Sequence, residues 1–181
     1  VVPEPGLLAD PRVRRGLACL APLGLSLDAW VYHPQLAELA AVADAFPDLA
    51  IILNHIGAPI LGGPYSGRRD EVLTRWRSGM EQLAKRPNVF LKVGAIPIRL
   101  PGTARDEAAG PPSSETVAKA WKPFVETCVD LFGAQRCMFE SNFPVQKRWC
   151  SYQVVWNAFK RVAAGASAVE KHALFAGTAI R

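Results

Sequence analysis

The chain has 181 residues, of which 50% are hydrophobic and 20% charged, with a formal net charge of +5. That length fits one domain, and the balance excludes a disordered, collagen-like or coiled-coil chain. No apolar run approaches the ~18 residues of a membrane span, and no secretory leader opens the chain. The positive charges are dispersed; the densest groups are Arg12, Arg14, Arg15 and Arg68, Arg69. With no basic stripe and no interleaved aromatics, nucleic acid is not an expected partner, nor is a membrane. Cys19, Cys128, Cys137 and Cys150 form no CxxC pair, so a structural zinc site is not expected. Cys19 and Cys128 read as small buried hydrophobes, and a reduced, cytoplasmic setting fits, although an even cysteine count leaves disulfides open.

Short apolar runs alternate with longer segments of helical spacing. The runs are Leu25 to Tyr32, Leu49 to Ile56, Asn88 to Ala95 and Cys137 to Phe143. Stretches such as AIIL and VFL do not alternate apolar with polar, which is the pattern of strands covered on both faces. A first helix is expected from Pro34, with Leu36, Leu39, Ala40, Ala43 and Phe46 on one face and Pro47 as its stop. Asp70 is the expected cap of a second helix, which carries Val72, Leu73, Trp76, Met80 and Leu83 and stops at Pro87. A third carries Val117, Trp121, Phe124, Cys128, Leu131 and Phe132, with Gly133 after it and a kink or late start expected at Pro123. A fourth carries Tyr152, Val155, Phe159 and Val162; Ser167 and Glu170 then form a capping box for a short last helix. Alternation of this kind predicts an α/β protein with a parallel sheet and right-handed crossovers. Gly57 to Gly67 and Leu100 to Pro112 read as long loops after strands.

Polar groups collect where the apolar runs end: Tyr32 and His33, Asn54 and His55, Lys92, and Glu140, Ser141 and Asn142. In parallel α/β folds the C-terminal strand ends share one edge, so these groups are expected to converge. Each has a plainer explanation, such as a histidine that only caps or packs, or a structural ion pair between Lys92 and Glu140. There is no GxGxxG, GxxxxGK[ST], GxSxG or HExxH motif, so nucleotide binding and two common hydrolytic devices lack support.

The strings LDAWVYHPQLAELAAVADAFPDLAIILNHIG, PNVFLKVGA, MFESNFPV and WNAFKR resemble the amidohydrolase-2 family, which includes sugar lactonases and a pyrone-dicarboxylate lactonase. The resemblance implies a (β/α)8 TIM barrel with its site at the C-terminal face. On that reading residues 1–181 are the C-terminal portion of one barrel domain, lacking roughly the first three βα units. Family members carry a His-x-His pair, a further His in an NHIG-type motif and an Asp in an SDWPV-type motif. His55 matches the NHIG histidine, the Asp position falls on Asn142, and the His-x-His pair is absent. The chain opens at Val1 rather than Met, so truncation is the expected reason. A partial barrel leaves an unpaired edge, so this portion alone is expected to be inactive and to fold poorly or pair with another copy.

The resemblance implies hydrolysis of a lactone or similar cyclic ester of a sugar acid or small carboxylic acid. His55 would bind a divalent metal such as zinc or polarise the carbonyl, and Glu140 would be the base. Asn142 would hold water or substrate, Lys92 would stabilise an oxyanion or an acidic substrate, and Tyr32, His33 and Asn54 would line the pocket. A hydrolytic zinc usually has three protein ligands, and His55 is the one credible ligand here, so a metal-free site is the other expectation. Two further readings stand beside this one. They are metal-dependent decarboxylation of an aromatic acid, and a non-catalytic sugar-acid binding protein.

Overall fold

The computed structural model describes residues 5–96 and 110–180. A short helix, α1 (Pro11–Leu17), precedes four consecutive βα units. These are β1 (Leu27–Ala29) with α2 (Leu36–Ala45), β2 (Ile51–Leu53) with α3 (Arg69–Ala84), β3 (Val89–Val93) with α4 (Ser114–Phe132), and β4 (Cys137–Phe139) with α5 (Tyr152–Val162). Helix α6 (Ala168–His172) follows and continues through a π turn (Ala173–Gly177) into the short helical segment Thr178–Ile180. The strands form one parallel sheet in the order β1-β2-β3-β4. Sequential parallel neighbours joined through helices are the wall of a (β/α)8 barrel, and this sheet supplies four of its strands.

Strand alternation sorts the side chains into two faces. Ile51, Leu53, Val89, Leu91, Val93, Cys137 and Phe139 are buried under the helices. There they meet Leu36 and Leu39 of α2, Met80 and Leu83 of α3, Trp121 of α4 and Phe159 of α5. The Phe139 and Phe159 rings stack with centroids 4.3 Å apart. The alternate residues Asp28, Ile52, Phe90, Lys92 and Met138 look toward the barrel axis. Ile52, Phe90, Lys92 and Met138 line an open cavity of about 650 Å³ that also touches Leu25, Ser26 and Thr178.

Most helix ends follow the sequence expectations. Ser151 caps α5, and Ser167 and Glu170 form the reciprocal box that starts α6. Three details differ. Asp70 lies inside the first turn of α3 rather than capping it; the cap position is Arg68, whose side chain pairs with Glu71. α4 runs through Pro123 and starts early, because the Ser113 hydroxyl accepts from the Thr116 N–H and fixes its first turn. Cys19 is exposed rather than buried, because it follows α1 in a solvent-facing turn; Cys128, Cys137 and Cys150 are buried, and all four thiols are free. The expected loop from Leu100 to Pro112 falls mostly outside the described residues. No helix among the described residues is long and apolar enough to cross a membrane.

Candidate active site

The site begins with a departure from strand geometry. A strand continuing past Leu53 would turn residue 55 toward the helices. Instead His55, Ile56, Gly57 and Ala58 take φ of 58, 50, 67 and 32° in succession. Three of these are non-glycine residues in the left-handed region, where each costs on the order of 1–3 kcal/mol. The surroundings hold the arc: the Trp76 indole N–H of α3 donates to the Ile56 carbonyl at 2.7 Å. The His33 N–H donates to the Ala58 carbonyl at 3.4 Å. The result carries the His55 imidazole off the strand line and across the C-terminal edge of the sheet.

Glu140 meets it there. One carboxylate oxygen, Oε1, lies 2.5 Å from His55 Nδ1 and accepts from the His55 backbone N–H at 3.1 Å. Both side chains are about one-fifth exposed, at 21% for His55 and 17% for Glu140. Glu140 follows β4 and His55 follows β2, so the carboxylate must pass over β3. It does so at Gly94, where a Cβ would sit 2.2 Å from Glu140 Cγ and 2.3 Å from its carbonyl oxygen. An ionised carboxylate only accepts, so the Nδ1 N–H faces it, and a ring carrying that single proton keeps its lone pair on Nε2. That is the arrangement of a histidine base oriented by a carboxylate.

The remaining candidates divide. Asn54 presents an amide oxygen that is buried and has no hydrogen-bond partner among the described residues. Asn142 sits in the turn after β4 with φ 51°, a conformation that asparagine tolerates better than most residues. The Tyr32 ring lies 6.2 Å from Trp30, and the Trp30 ring lies 5.7 Å from His55. Lys92 does not pair with Glu140. It forms an ion pair with Asp28 across the barrel-facing side of the sheet, because Asp28 shares that face and Glu140 is turned to His55.

His33 is 4% exposed and works as a strut for the loop beyond the arc. Its Nδ1 accepts from the Ile60 N–H at 3.3 Å, and its ring packs edge-on against Tyr65 at 4.9 Å. Burial, and secondarily the charge of Arg75, lower its pKa from 6.5 to about 4. Between those values the unfolded chain holds a proton that the folded chain does not, so stability falls as pH drops. Moving from pH 7 to pH 5 is expected to remove about 2 kcal/mol through this group. Denaturant melts of the wild type and of His33→Gln at the two pH values measure it as the difference between their pH dependences. An equal dependence in both proteins would show that His33 stays protonatable in the fold.

The described residues do not make up a zinc site. No three His, Cys, Asp or Glu side chains come together among them; His55, with Nδ1 turned to Glu140, offers Nε2 as its one position for a metal.

Gly94 and Trp30 are the site residues that the sequence expectations missed. Their signal was parity. Trp30 follows Asp28 on the barrel-facing alternation, and Gly94 follows Lys92 on the same face.

The family model described as Amidohydrolase matches residues 1–181, and the chain belongs to that family. An uncharacterized Sinorhizobium fredii protein, y4mH, is 36% identical over 95% of this chain and 51% of its own length. An L-fucono-1,5-lactonase from Burkholderia multivorans is 31% identical over 95% of this chain and 55% of its own. The chain thus spans about half the length of the curated relatives it matches. A crystal structure of an amidohydrolase from Burkholderia multivorans with bound zinc superposes with a TM-score of 0.79 at 30% identity. That match covers 97% of this chain and 58% of the other.

Proposed function

We propose that this chain is the C-terminal portion of one barrel domain whose whole protein opens a lactone or similar cyclic ester of a sugar acid or small carboxylic acid. The observation that carries the reading is the grip of one Glu140 oxygen on both the imidazole and the backbone of His55. Similarity to the L-fucono-1,5-lactonase supports the choice of substrate class.

The chemistry follows from the tautomer. A water held at the free Nε2 of His55 attacks the ester carbonyl and passes its proton to that nitrogen. Glu140 stays ionised and steadies the imidazolium that forms. As the tetrahedral alkoxide collapses, the bond from carbonyl carbon to ring oxygen breaks. The imidazolium then returns its proton to that oxygen, leaving an open-chain hydroxy acid. Asn54, Asn142 and Tyr32 border the same edge. Lys92, tied to Asp28, takes no part in this scheme.

The test uses the full-length protein and a panel of sugar-acid lactones that includes L-fucono-1,5-lactone, read by acid release with and without a chelator. Turnover that survives chelation is the expected result for the His55–Glu140 pair. Turnover abolished by chelation would move His55 from base to metal ligand. No acid release from any lactone would sink the hydrolase reading.

A further inference from the structure

Trp30 follows β1 between the buried Ala29 and Val31 and is 65% exposed among the described residues. Its place is specific. The ring meets the His55 imidazole edge to face, with an interplanar angle of 74° and centroids 5.7 Å apart. It also approaches Tyr32 at 42°, with centroids 6.2 Å apart. One indole therefore stands beside the histidine.

An exposed aromatic face attracts groups that are apolar and carry a partial positive charge at their edge. The C–H bonds on the flat side of a pyranose-type ring fit that description, whereas an open-chain acid offers no such face. We propose that Trp30 is the platform on which the ring of a sugar lactone lies, with its ester carbonyl turned to His55. This rests on the hydrolase reading and narrows it to cyclic substrates with one face of C–H bonds.

The test compares wild type, Trp30→Ala and Trp30→Phe in the full-length protein. Two quantities are read: KM and kcat for L-fucono-1,5-lactone, and calorimetric Kd for L-fucopyranose, which keeps the ring and lacks the ester. Trp30→Ala is expected to raise KM and Kd about tenfold or more, with kcat falling less than about threefold, and Trp30→Phe to recover most of the loss. Thermal melts of the three proteins are compared alongside; if Trp30→Ala does not fold, Trp30→Phe decides by its smaller rise in KM and Kd. Binding of L-fucopyranose that depends on Trp30, without any turnover, would uphold the platform and retire the hydrolase reading. KM and Kd unmoved in both variants would overturn the platform while turnover stands. Absence of both binding and turnover in the wild type would overturn it as well.

Discussion

Glu140→Gln should lower kcat on a lactone substrate about as far as His55→Ala does, by roughly 10²–10⁴-fold. The two changes look unequal, since glutamine keeps the length and the hydrogen-bonding reach of glutamate. The difference lies in charge. The carboxylate only accepts, so it fixes the proton on Nδ1 and leaves Nε2 free to act as a base. An amide can keep its oxygen on the His55 backbone N–H and preserve that tautomer, but it brings no negative charge, so the imidazolium that forms on proton transfer is no longer steadied. KM should change little in either variant, because neither group is assigned to ring binding. Steady-state kinetics with L-fucono-1,5-lactone measure both. A Glu140→Gln enzyme within about threefold of wild type would show that the carboxylate positions nothing that the reaction uses.

Gly94→Ala is expected to disable the same pair without touching either member. A Cβ at position 94 would lie 2.2 Å from Glu140 Cγ and 2.3 Å from the Glu140 carbonyl oxygen. Neither distance is compatible with a real contact, and the second involves backbone, which cannot swing aside as a flexible side chain would. Either β3 and β4 move apart at their C-terminal ends, or Glu140 leaves His55. Overpacking of this kind costs about 1–3 kcal/mol, and a displaced carboxylate should cost activity about 10²-fold or more. Gly62→Ala is the matched control, because nothing lies within 4 Å of the Cβ it would add. Truncating Glu140 in the Gly94→Ala background removes only the Cγ clash, so the double variant should remain less stable than wild type. Chemical melts and lactone turnover give both numbers. Wild-type turnover in Gly94→Ala would mean that Glu140 does not cross at position 94.

These two residues also mark where the sequence could and could not be read. The strand runs and helix faces were legible because burial on both sides of a parallel sheet leaves unbroken apolar runs, as in Ile51 to Leu53 and Val89 to Leu91. His55 and Glu140 stood out as polar groups ending such runs. Their pairing did not, because His55 reaches the edge only through a left-handed arc that propensity disfavours, as Ile56 at φ 50° makes plain. Lys92 pointed toward Glu140 by charge alone; the partner it takes depends on which residues share its face, and that face also holds Asp28. His33 read as a pocket residue, yet its ring nitrogen supports the Ile60 N–H from within the fold. A glycine such as Gly94 carries no chemistry, so its role appears only when a neighbouring side chain is seen to cross it.

Leu36 sits where three segments meet. A Cβ on Gly57, in the histidine arc, would come within 2.8 Å of its Cδ2, and a Cβ on Gly79, in α3, within 2.7 Å of its Cδ1. The leucine thus fills the space that two missing side chains leave. Positions 36 and 79 are free to change only in concert. At 79 a larger residue requires a smaller one at 36, and at 57 the backbone angle forbids even that exchange. Drift in the helices around this barrel wall is therefore tethered to the active-site arc through a single aliphatic side chain. Substitution patterns among related chains should carry that tether as covariation between positions 36 and 79, with 57 holding still.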